Sequence, residues 1–91
     1  MFNIVSTEYF LRRAAKFLKK HPDLRERFAN VVDDLKQDPF APHLAYHPLG
    51  GKLKDVQAVS VTYELRIILR IEATEQEIIL LDVGSHEEVY R

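Results

Sequence analysis

The sequence predicts an α+β fold, with an N-terminal strand and an antiparallel two-helix hairpin packed on one face of a small, mainly antiparallel four-stranded sheet. Three observations predict it. Residues 8–37 repeat apolar side chains at helical spacing, residues 56–84 hold three strand-like runs with very short connections, and 91 residues with 46% apolar content suit one small core. The whole of 1–91 is accordingly expected to form a single domain.

The opening "FNIVS" is short, apolar and rich in β-branched residues, which reads as the first strand. Ser6 or Thr7 then supplies an N-cap, and Phe10, Leu11, Ala14, Phe17 and Leu18 lie along one helical face. At His21-Pro22 the helix breaks, because proline has no amide hydrogen and is tolerated only where a new helix starts. A second helix follows with Leu24, Phe28, Val31, Val32 and Leu35 on its apolar face and ends before Asp38-Pro39. Residues 39–55 lose all periodicity and hold three prolines and two glycines, so they read as a loop, long enough in a domain of this size to suggest function.

"VQAVSVTY", "LRIILRIE" and "EIILLDVG" form the predicted meander. A three-residue hairpin loop, Thr62-Tyr63-Glu64, sets Val61 against Leu65, Val59 against Ile67 and Ser60 beside Arg66; a two-residue loop would set Val61 beside Arg66. The first register gathers Val59, Val61, Leu65, Ile67, Leu69 and Ile71, with Ile79, Leu81 and Val83, on the face that the helices cover. Ser60, Arg66 and Asp82 share the other face with Ala58, Ile68, Ile78 and Leu80.

Composition excludes several classes of protein. With no cysteine there is neither a disulfide framework nor a thiolate zinc site, which fits a reducing cytoplasm. Apolar runs such as Ile67-Ile68-Leu69 are too short to cross a bilayer, and "MFNIVSTEYF" lacks the pattern of a signal peptide. The net charge of −1 gives no global electrostatic case for nucleic acid. Its distribution is uneven: residues 1–54 carry ten lysines and arginines against six acids, and residues 55–91 carry three against eight. Scattered lysines on helices nevertheless read first as solvated.

Chemistry is expected at one end of the sheet. In an up-down-up meander the first turn and the exit of the third strand share an end, which brings Glu64 and Arg66 near the tail "GSHEEVYR" with His86 and Tyr90. The loop holding His47 is long enough to fold back toward them. Two imidazoles, a carboxylate, a phenol and a guanidinium match the needs of metal-free RNA cleavage by the 2′-hydroxyl: a base, an acid and a cation for the phosphate. Each has an ordinary reading too. His47 is a loop residue before Pro48, Gly50-Gly51 a turn, Lys52 and Lys54 solvated cations, and Glu64 a hairpin tip. Arg66 reads as a partner for Asp82, His86 as a turn cap, and Tyr90 as a packing plug; His21 and His43 read as structural. No metal is expected, since His43 and His47 flank Leu44-Ala45-Tyr46 in a proline-bounded segment rather than on a helix.

"HPLGGKLKDVQAVSVTYELRIILRIE" followed by "IILLDVGSHEEVYR" resembles the RelE/ParE superfamily of bacterial toxins, and within it the YafQ-like branch, with its HPLKG-like loop, YRIIY-like strand and GTH-x-x-VY-like tail. The resemblance spans almost the whole chain. It implies a RelE-like fold and the toxin of a type II toxin–antitoxin system: a ribosome-dependent mRNA endoribonuclease, free of cofactors, held inactive by a cognate antitoxin protein and acting on mRNA in the cytoplasm. By position it implies His47 or Glu64 as general base, His86 as general acid, Arg66 with Lys52 and Lys54 on phosphate, and Tyr90 supporting the nucleotide. Two features depart from the family. Ser60 stands where YafQ-type enzymes have a further histidine, and the chain is nearly neutral where relatives are strongly basic. The alternatives are a catalytically silent RelE-fold domain that binds an antitoxin or another protein, and a ParE-like gyrase inhibitor.

Overall fold

The computed structural model describes residues 1–51, 55–85 and 89. Strand β1 (Asn3–Ser6) leads into helix α1 (Glu8–Lys20), a 3₁₀ turn (Pro22–Leu24) and helix α2 (Arg25–Gln37). A second 3₁₀ turn (Pro42–Leu44) precedes β2 (His47–Pro48), β3 (Gln57–Ser60), β4 (Leu65–Glu72) and β5 (Glu77–Ser85). The sheet order is β1-β5-β4-β3-β2; β1 runs parallel to β5 and every other pair is antiparallel. The α+β class and the meander are as expected, with five strands in place of four. The fifth is β2, inside the predicted loop: His47 pairs with Ala58 and Pro48 with Gln57. Two residues are too few for alternation to reveal, and a proline is tolerated there because β2 is an edge strand.

Thr7 is the N-cap of α1. Its Oγ1 accepts the Phe10 amide at 3.1 Å while the hydroxyl donates to the Leu80 carbonyl at 2.9 Å, so one side chain both starts the helix and ties it to β5. Replacing Thr7 with alanine should cost about 1–2 kcal/mol, read as a lower urea midpoint with unchanged m-value, and Thr7→Ser should restore most of it. Phe10 and Ala14 are buried and Phe17 and Leu18 half-buried, but Leu11, expected on the same stripe, is 54% exposed. It lies one residue, about 100° of helix, round from Phe10 and away from the sheet. Helix α1 ends at His21, whose amide still reaches the Phe17 carbonyl at 3.0 Å, while Pro22 has no amide to continue the ladder. Phe28, Val31 and Leu35 bury the face of α2, and Phe28 meets Phe10 with ring centroids 6.1 Å apart.

The three-residue turn has the expected register. Val59 pairs with Ile67 and Ser60 with Arg66, and the Val61 amide donates to the Leu65 carbonyl at 2.9 Å. One expectation about the faces is corrected. Between β4 and β5 the register shifts: Ile68 pairs with Asp82 and Leu69 with Leu80, so Leu81 is left over as a bulge. Before the bulge in β5 the core takes the even-numbered Ile78 and Leu80, at 0% and 1% exposure; after it the core takes the odd-numbered Val83. Ile79 and Leu81, expected inside, are only half-buried. A run of four apolar residues is compatible with either face, so alternation cannot detect the extra residue.

Candidate functional site

The turn end of the sheet is held by its own hydrogen bonds. The Leu65 amide donates to Thr62 Oγ1 at 3.1 Å, which closes the loop that presents Glu64 to solvent. Arg66 follows immediately. Its Nη1 donates to the Thr62 carbonyl at 2.7 Å and to the Leu65 carbonyl at 3.4 Å, which fixes the guanidinium over the turn. The remaining guanidinium donors have no protein partner among the described residues, and a planar fork with spare donors suits a phosphate. The expected pairing of Arg66 with Asp82 does not occur. Arg66 lies opposite Gly84, and Asp82 instead accepts Arg13 Nε from α1 at 2.9 Å.

Ser60 lies directly across from Arg66, so both point to the face away from the helices. His47 joins that face, because it pairs with Ala58, two residues from Ser60 on the same strand. Strand spacing and rise put the Cα atoms of His47 and Arg66 about 12 Å apart, close enough for the side chains to address one ribose-phosphate unit from two sides. His47 Nδ1 lies 2.9 Å from the Ala45 carbonyl. A carbonyl only accepts, so Nδ1 carries the hydrogen and, in the neutral ring, Nε2 holds the lone pair that can take a proton. Ala45 has φ 50°, a left-handed residue at the exit of the 3₁₀ turn, and this local fold aims its carbonyl at the ring.

At the far side of the site β5 ends at Ser85, opposite Leu65, so the chain enters the segment of His86 and Tyr90 at the end of the sheet that carries Glu64 and Arg66. His86, Tyr90, Lys52 and Lys54 themselves lie outside the described residues. The other two histidines are engaged elsewhere. His43 Nε2 is 2.8 Å from Asp34 Oδ2, and His21 stacks on Phe17 with centroids 4.5 Å apart. Among the described residues no group of three or more histidine or acidic side chains could hold a metal ion, and no helix is long and apolar enough to cross a membrane.

Sequence reasoning missed a cleft of about 550 Å³ on the helix side of the same end. Arg13, Lys16, Phe17 and Lys20 of α1 form one wall with His21 and Leu24; Thr62, Glu64 and Leu65 of the turn and Val83, Gly84 and Ser85 of β5 form the other. The signal that could have found it is the spacing i, i+3, i+7 of Arg13, Lys16 and Lys20, which puts three cations on one helical stripe. Glu64 belongs to this wall, so it stands at the boundary between the cleft and the face that carries Arg66.

The fold is that of small toxins of known structure. A crystal structure of a metal-bound toxin from Helicobacter pylori matches with a TM-score of 0.82 and 30% identity, covering 99% of this chain and 100% of that one. A YoeB/ParE toxin from Agrobacterium tumefaciens matches with a TM-score of 0.78 and 20% identity, over 94% of this chain and 99% of that one. In the E. coli DinJ–YafQ toxin–antitoxin complex a chain matches with a TM-score of 0.73 and 14% identity, over 99% and 98% of the two chains. No protein-family model and no curated protein matches the sequence. The chain belongs to the RelE/ParE toxin superfamily.

Proposed function

We propose that this protein is a YafQ-like toxin that cleaves mRNA on the ribosome by attack of a 2′-hydroxyl on the adjoining phosphate, and that a cognate antitoxin blocks it. The observation that carries the reading is the common face of His47, Ser60 and Arg66 at the end of the sheet where β5 leads toward His86. In this scheme His47 Nε2, or Glu64, removes the 2′-hydroxyl proton and the oxygen attacks phosphorus. The 5′-oxygen leaves with a proton from His86, giving a 2′,3′-cyclic phosphate. Arg66, with Lys52 and Lys54, holds the phosphate oxygens as their charge grows. Ser60 donates a hydrogen bond but is no base near neutral pH without an activating partner, so the proton transfers rest on the histidines and Glu64. Tyr90 supports the nucleotide.

Expression of the wild type should arrest growth and leave mRNA fragments ending in 2′,3′-cyclic or 3′-phosphate. His47→Ala and His86→Ala should each lower cleavage by about 100-fold or more, since positioned acid–base groups contribute on the order of 10² to 10⁴. Growth arrest with intact mRNA would instead indicate a gyrase-directed toxin. No arrest would indicate a silent domain kept for binding its partner.

A further inference from the structure

We infer that the cleft between α1 and the β3–β4 turn is a second binding site, which takes a nucleotide flanking the cleaved linkage on the same single-stranded RNA. The choice of ligand rests on the ribonuclease reading. The cleft's volume of about 550 Å³ falls in the range that encloses a small organic ligand and suits one nucleotide with its phosphate. Helix α1 carries five cations, Arg12, Arg13, Lys16, Lys19 and Lys20, against one acid, Glu8, and its stripe of Arg13, Lys16 and Lys20 lines the cleft. Arg13 is committed to Asp82 at 2.9 Å and stiffens the wall. Lys16 and Lys20 have no ion-pair partner among the described residues, which leaves two ammonium groups for phosphate.

Beside them His21 is exposed and stacked on Phe17, with centroids 4.5 Å apart and planes inclined by 27°. An aromatic pair with an open outer face next to two cations is the arrangement by which proteins hold single-stranded nucleic acid with little sequence preference. The opposite wall supplies the route. Glu64, Gly84 and Ser85 line the cleft, and Gly84 is the strand partner of Arg66, so a strand of RNA leaving the phosphate at Arg66 needs only to turn round the sheet end to enter. An acidic amphipathic peptide fits less well. Such a peptide docks by apolar anchors, and of the cleft's apolar lining Leu65 and Val83 are buried at 2% and 1% exposure while Phe17 and Leu24 are only half-exposed.

The test uses a fluorescein-labelled 2′-O-methyl hexanucleotide, which cannot be cleaved because its 2′-oxygens are blocked. Lys16→Ala/Lys20→Ala should weaken binding about 10-fold or more. It should also flatten the slope of log affinity against log salt by about 1.4, at roughly 0.7 for each phosphate of a single strand that no longer meets a cation. His21→Ala should weaken binding without changing that slope, and Lys36→Ala on α2 should change neither. Amide resonances of residues 16–21 and 62–65 should move on titration in the folded wild type. Unchanged affinity and slope in the double variant, or resonance shifts confined to other surfaces, would overturn the proposal, as would a glutamate-rich peptide binding in the cleft where the oligonucleotide does not. Cleavage of natural RNA by the wild type is scored separately. Binding through the cleft without cleavage sinks the nuclease reading and keeps the site; cleavage with an indifferent cleft does the reverse.

Discussion

Arg66→Ala is expected to lower RNA cleavage by about 100- to 1,000-fold, the usual effect of removing one preorganised donor from a developing negative charge. The residue is suited to produce so large an effect because the turn holds it in place. Bonds of 2.7 and 3.4 Å to the Thr62 and Leu65 carbonyls engage one nitrogen and leave the rest of the fork without a partner among the described residues. Reorganisation on binding is therefore small. Arg66→Lys keeps the charge but loses the planar fork, so it should fall between alanine and wild type. Arg70→Ala is the control, since Arg70 is exposed and pairs with Glu72 at 2.8 Å two residues beyond the bulge. Single-turnover cleavage, with circular dichroism to confirm the fold, checks the series. Equal loss in Arg66→Ala and Arg70→Ala would refute a local phosphate contact.

Leu80→Ala is expected to cost about 2–5 kcal/mol, the range for truncating a buried leucine, whereas Leu81→Ala should cost roughly 1 kcal/mol or less. Leu80 is 1% exposed and packs with Ile78 into the core under the helices; Leu81 is half-buried. For a domain of this size total stability is on the order of 5–14 kcal/mol, so the first change removes a large share and the second little. Urea unfolding of the two variants is thus a direct readout of the bulge. With a regular ladder the order would reverse, because Leu81 would share the core face with Val83 and Leu80 would turn outward. The bulge matters for the site as well. It keeps Ile78 and Leu80 in the core while leaving Gly84 across from Arg66 at the turn end.

Much of this architecture could be read from local pattern. Ser6-Thr7 announced the helix by chemistry, since a short polar side chain satisfies the first amides, and the structure gives the cap to Thr7; His21-Pro22 marked the helix end by the missing hydrogen. The hairpin register was readable because only a three-residue loop segregates Val59, Val61, Leu65 and Ile67 from Ser60 and Arg66. Three features were not readable. Strand β2 is two residues of backbone pairing with no side-chain signature. The bulge hides in an apolar run that tolerates either register. The cleft joins residues 13–24 to 62–65 and 83–85, and no window of sequence contains that wall-to-wall distance.

The amino-acid order alone determined the helices, the meander, the turn and the residue types that suit phosphate chemistry, because each depends on neighbours within a few positions along the chain. Only the tertiary structure decided that His47 shares a face with Ser60 and Arg66, that Arg13 rather than Arg66 takes Asp82, and that α1 turns its cations toward Glu64. Those relations depend on which distant backbone segments exchange hydrogen bonds and on one extra residue in β5, and both are settled by the packing of the whole core.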